Sequence, residues 1–150
     1  MTLAPNAVLA WGAGGAAVGS RAGRVRERCA AVARAASSKL GHETVVLGVE
    51  NLLGLTDAFV ITSGSNPRQV RTISDEVERQ VKLAGGGSPI SVEGLDDARW
   101  VLMDYGDFVV HVFLDEVRRF YDLEGLWGDA EQWAWDEKAS GLAPAGAPTG

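Results

Sequence analysis

Residues 99–113, RWVLMDYGDFVVHVF, hold two β-prone runs parted by Tyr105, Gly106 and Asp107. A short glycine-containing break between two such runs predicts an antiparallel hairpin, with strands over 99–104 and 108–113. Strand alternation then sorts the side chains, placing Trp100, Leu102 and Asp104 on one side and Val101, Met103 and Tyr105 on the other. In the second strand Phe108, Val110 and Val112 oppose Val109, His111 and Phe113, so both rows are largely apolar. A strand apolar on both faces belongs in the middle of a sheet that is covered on both sides, and this one stretch therefore demands a layered fold.

The rest of the chain supplies those layers. Val25, Cys29, Val32 and Ala36 recur at helical spacing and predict a helix over 24–39. TVVLGV and DAFVITSGS read as two strands, the second running from Asp57 to Ser65. Asn66 and Pro67 then suit an N-cap and first helical position, and Val70, Ile73, Val77 and Val81 supply the apolar stripe of a helix ending near Leu83. Gly85 to Gly87 stop it, PISVEG adds a strand before the hairpin, and residues 116–121 read as a short helix. The predicted class is α/β (α+β), a mixed sheet of about five strands packed with helices. Residues 1–23 read as a disordered leader, 24–130 as the folded domain, and 131–150, ending in the Ala, Gly and Pro run ASGLAPAGAPTG, as a mostly disordered tail.

With 150 residues there is room for one domain and tails rather than two good cores. A net charge of −6 disfavours sequence-independent nucleic-acid binding and suits a basic protein partner. The single Cys29 cannot form an intrachain disulfide, and with His42 and His111 the only histidines a multi-His/Cys metal centre is not expected. The apolar first twenty residues lack the basic start of a secretory signal and are broken by Pro5 and Asn6.

Several residues invite chemical readings. His111, in an apolar strand, reads as a core or half-buried histidine held by a hydrogen bond rather than a catalyst. Asp104 and Asp107 flank the turn, where aspartate bonds backbone amides, and that reading is the stronger for Asp107. Trp100 can fill the core or anchor a partner. Gly64 and Ser65 stand between a strand and a helix N-terminus, a place where anions bind, but without the lysine of a phosphate-binding loop. Arg71 is expected to be solvated and paired with Asp75, and Trp127, Trp133 and Trp135 either cover a sheet face or form a patch. No catalytic set, metal site or cofactor is expected.

Taken in order, DAFVITSGSNPRQVRTISDEVE, the Glu93-Gly94 pair, RWVLMDYGDFVVHVF and RRFYDLEGLWGDA resemble the ribosomal silencing factor family (RsfS, or Iojap) from about Val25 to Ala130. The resemblance implies a fold related to nucleotidyltransferases but lacking their catalytic carboxylates and activity. It implies a cytoplasmic, noncatalytic translation repressor. Such a protein binds the large ribosomal subunit through large-subunit ribosomal protein fourteen and sterically blocks joining of the small subunit under nutrient limitation. The family's partner-binding pattern falls on Trp100, Leu102, Asp104, Tyr105, Gly106 and Asp107; supporting positions fall on Ser63, Gly64, Arg68, His111, Tyr121 and Trp127. A weak homodimer is expected, with neither membrane nor sequence-specific nucleic-acid binding.

Two departures stand out: Ala98 replaces a glycine common two places before the tryptophan, and Gly48 replaces an aspartate common in the first strand. The competing expectation is a nucleotide-binding enzyme using Gly64-Ser65 as a phosphate turn. Its carboxylates would have to be Asp75, Glu76 and Glu78, which fall on the predicted helix and not on strands.

Overall fold

The computed structural model describes residues 20–50, 54–122, 125 and 128–135. The chain runs α1 (Arg21–Ser38), β1 (His42–Gly48), β2 (Ala58–Gly64), α2 (Pro67–Leu83), β3 (Ser91–Glu93), β4 (Trp100–Asp104), β5 (Phe108–Leu114), α3 (Asp115–Tyr121) and β6 (Glu131–Trp133). One sheet in the order β3-β4-β5-β2-β1-β6 collects the six strands. The β2–β5 pair is parallel and the other four pairs are antiparallel. β5 is thus a central strand, as its two apolar rows require.

Both long helices start where a side chain caps them. Ser20 Oγ accepts from the Gly23 amide at 3.0 Å, which starts α1 three residues before the predicted Arg24. Asn66 Oδ1 accepts from the Gln69 amide at 2.9 Å, with Pro67 in the first turn of α2. The two helices cover one face of the sheet: Val25, Cys29, Val32 and Ala36 of α1 and Val70, Ile73, Val77 and Val81 of α2 are buried there with Val46, Val60, Val101, Met103, Val110 and Val112. Gly64 lets α2 approach, since a Cβ there would stand 3.2 Å from Val70 Cγ2.

The sixth strand corrects the expected end of the domain at residue 130. Glu131–Trp133 pair antiparallel with β1, and beyond them the Trp135 indole donates to the Thr44 carbonyl at 3.2 Å. Gly48 explains how this segment docks. A Cβ at residue 48 would meet the Trp133 ring at 2.7 to 2.9 Å, so the missing side chain is the seat of that ring. The Arg26 guanidinium lies over the same ring, 4.1 Å from its centroid. The leader before residue 20 and the tail after 135 lie outside the described residues.

Candidate functional site: the open side of the hairpin

The second face of the sheet carries Phe59 and Ile61 of β2, Val109, His111 and Phe113 of β5, and Trp100, Leu102 and Asp104 of β4, as the cross-strand pairs Phe59↔Val109, Ile61↔His111, Trp100↔Phe113, Leu102↔His111 and Asp104↔Val109 require. α3 covers one end of it. Arg118, 4% exposed, donates to Ser63 Oγ at 2.7 Å and to the His42 carbonyl at 3.3 Å, and so ties the helix to β1 and β2. Tyr121, at the end of the same helix, sets its ring 5.0 Å from Trp100. Past this point Trp100, Leu102, Asp104 and Val109 are half-buried side chains beside the exposed Ser91 and Glu93 of β3. The exposed Phe120 and Tyr121 extend the apolar area from the α3 side.

Trp100 stands at the centre of an aromatic group. Its ring lies 4.8 Å from Phe113, and its Nε1 donates to His111 Nδ1 at 3.1 Å. His111 in turn meets Phe59 edge-on at 4.7 Å. Burial pushes the imidazole down to about 4, so it is neutral at physiological pH. A neutral histidine that spends its acceptor on an indole has no function as a base.

The other expected contact residues separate from this group. Tyr105 projects to the helix-covered side, where it stacks on Phe108 at 4.8 Å and 15°. Burial, and secondarily the Glu78 carboxylate, push its phenol up to about 12. Gly106, at φ +86°, makes the turn, and its carbonyl accepts from Thr56 Oγ1 at 2.9 Å. Of the two aspartates, it is Asp104 that takes the turn role expected more strongly of Asp107. Asp104 Oδ1 accepts from the Gly106 amide at 2.8 Å and so performs the turn chemistry. Asp107 instead pairs at 3.0 Å with Arg21, which also holds Asp57 at 3.0 Å.

Arg71 departs from expectation too. It donates to the carbonyls of Leu95 at 3.1 Å and Asp96 at 2.7 Å rather than to Asp75, and thereby fastens the turn that leads into β4. That turn contains both features that mark the start of the hairpin. Ala98 is fully buried at φ +53°, a left-handed conformation natural to the glycine it replaces. Gly94, at φ +90°, lies so close to the Trp100 carbonyl that a Cβ would collide with it. Arg68 is exposed on α2, and Trp127 lies outside the described residues.

Sequence reasoning missed Arg118 and Arg21. Their signal was weak: one arginine in a short helix and one before the predicted α1 look like solvated charges, and only long-range contacts give them partners.

The anion-binding reading of Gly64-Ser65 meets a side chain already in place. The Ser65 amide donates to Gln69 Oε1 at 2.6 Å while the Gln69 amide donates to Asn66, a reciprocal cap. Of the acids proposed for metal, Glu76 lies on α2 and is bound by Arg79 at 2.8 Å. A Ser65, His42, Asp115 group exists nearby, but both partners lie 3.2 Å from the same nitrogen, His42 Nε2. A nucleophile relay needs them on opposite ring nitrogens.

Comparison with known proteins shows the family and the fold. The family model "Ribosomal silencing factor during starvation" matches residues 23–147. The ribosomal silencing factor RsfS of Bacillus subtilis is 41% identical over 98 residues, 65% of this chain and 82% of the relative. That of Halalkalibacterium halodurans is 40% identical over 96 residues, 64% of this chain and 81% of the relative. A crystal structure of a Chromobacterium violaceum protein superposes with a TM-score of 0.66 at 34% identity, covering 69% of this chain and 86% of that one. With the family model matched over residues 23–147 and its six-stranded mixed sheet shared with a solved structure at 34% identity, this chain belongs to the ribosomal silencing factor family.

Proposed function

We propose that this protein represses translation without catalysis, in the cytoplasm, by binding the large ribosomal subunit through large-subunit ribosomal protein fourteen and occluding the surface on which the small subunit joins. The observation that carries this reading is the half-buried row Trp100, Leu102 and Asp104, left open beside α3 on an otherwise well-packed sheet. An aromatic anchor within an apolar patch, rimmed by acids such as Asp104 and Glu93, has the composition of a binding hot spot for a basic protein surface. The net charge of −6 favours encounter with such a partner.

The supported contact set is therefore Trp100, Leu102 and Asp104, with Tyr121 at its border. Tyr105 and Gly106 act by packing and shaping the turn, and Asp107 by tying it to Arg21. The same open face supports a weak homodimer that competes with the ribosome, and a monomer mass by light scattering at high concentration contradicts it.

Co-sedimentation with isolated large subunits, followed by a subunit-joining assay, tests the proposal. Wild type is expected to pellet and to block joining, while Trp100→Ala and Leu102→Ala, checked for folding, do neither. A wild type that stays in the supernatant with active subunits overturns it. Heat released on adding ATP with magnesium in calorimetry would then favour the nucleotide-binding enzyme.

A further inference from the structure

We propose that His111 is the positioning residue of this face: by accepting the indole N–H it holds Trp100 in a single, binding-competent orientation, an inference that rests on the function proposed above. Trp100 and His111 are diagonal neighbours across β4 and β5, since Trp100 is paired with Phe113 and His111 with Leu102. The hydrogen bond between them fixes the imidazole tautomer. Because Nδ1 accepts from Trp100 Nε1 at 3.1 Å, the proton of the neutral ring sits on Nε2.

That second nitrogen is the informative one. Among the described residues, buried His111 Nε2 has no hydrogen-bond partner. An unpaired buried donor lowers the stability of the fold, and an apolar ring in the same place would remove the penalty. Its immediate surroundings, Phe59, Ile61 and Phe113, are apolar and would accept such a ring. What the histidine supplies that phenylalanine cannot is the acceptor under Trp100.

The indole needs that acceptor because the rest of its seat is nondirectional. Phe113 at 4.8 Å and Tyr121 at 5.0 Å offer ring surfaces against which an indole can slide or turn over. One hydrogen bond selects one orientation. A side chain already ordered in its bound form loses less freedom on association, and the gain appears chiefly as slower dissociation. Burial of His111 keeps it neutral, so the acceptor persists at physiological pH.

The test uses the full-length protein with His111→Phe, which keeps a ring and removes the acceptor, and His111→Asn, whose side-chain oxygen restores one. The indole Nε1–H resonance of Trp100, assigned by its loss in Trp100→Phe, reports the bond; the amide spectrum and Tm report folding; the dissociation rate from isolated large subunits reports binding. His111→Phe is expected to keep its amide spectrum and a Tm near that of wild type, since it trades the unpaired Nε2–H for an unpaired indole N–H, to shift the indole resonance upfield, and to dissociate about tenfold faster. His111→Asn is expected to recover the resonance and most of the lost residence time. A shifted resonance with unchanged dissociation overturns the inference and leaves the proposed function intact, as does an unshifted resonance in folded His111→Phe. Loss of Tm in step with loss of binding, without rescue by asparagine, reduces His111 to a core residue and also overturns it. If wild type itself does not bind, the proposed function fails and this inference fails with it.

Discussion

Trp100 and Tyr105 lie five residues apart in one hairpin, and each carries an apolar ring with one polar atom. Trp100 is on the open face and its N–H is accepted by His111. Tyr105 is on the helix-covered side, its hydroxyl oxygen buried and, among the described residues, without a hydrogen-bond partner. Both side chains are half-buried, and the one whose polar atom is engaged on the open face is placed to meet something else. One whose hydroxyl is buried and unpaired serves the core through its ring alone, here by stacking on Phe108. An aromatic-rich motif is therefore not one surface: the strand's alternation divides it between the open face and the helix-covered one.

The sharpest way to break this division is to disturb the backbone on which Trp100 rests. Gly94→Ala drives a Cβ into the Trp100 carbonyl and strains a left-handed residue, so a loss of about 3 to 4 kcal/mol in urea unfolding is expected. A loss below about 1 kcal/mol would mean that the turn relaxes freely and does not position the hairpin.

Protonation of His111 attacks the Trp100 side specifically. Its folded pKa lies at about 4, below the ordinary 6.5, because burial disfavours the imidazolium. The unfolded chain binds the proton first, so the stabilising contribution is complete above 6.5 and is lost as pH falls toward 4, by about 3 kcal/mol. His111→Asn removes this slope. Equal acid sensitivity in wild type and variant, measured by denaturation across that window, would show that His111 is not the group responsible.

Trp100→Ala measures the binding half of the comparison. Truncation of a hot-spot tryptophan should weaken large-subunit binding by about 2 kcal/mol or more, roughly thirtyfold. Tyr105→Phe should leave binding unchanged and, by deleting an unpaired buried hydroxyl, raise stability by about 1 kcal/mol. Weaker co-sedimentation of folded Tyr105→Phe would reinstate that hydroxyl as a contact. The smallest effect belongs to Ala98→Gly. Relief of the left-handed alanine should gain about 0.5 kcal/mol, offset in part by the buried methyl it removes. A destabilisation above 1 kcal/mol would show that packing outweighs backbone strain there.

Much of this could be read before any coordinates. The hairpin register, the central place of β5 and the apolar stripes of α1 and α2 follow from local periodicity, because the pleat and the helical turn fix which neighbours share a face. Alternation already set Tyr105 opposite Trp100; grouping both as contact residues overlooked it. The pairing of Asp107 with Arg21 could not be read, since the two are 86 residues apart in the chain.

By itself, then, the sequence determined the three helices and five of the six strands among the described residues, the two faces of the hairpin and the family to which the chain belongs. Tertiary structure alone decided which face stays open, because that depends on where α3 lands, and α3 is pinned by Arg118 to Ser63, 55 residues away. It alone decided that Glu131–Trp133 form a strand, since three residues have no strand preference of their own strong enough to hold them without β1 and the seat that Gly48 leaves for Trp133. Local spacing governs what a segment can become. Contacts between distant segments govern which of its surfaces remains available for a partner.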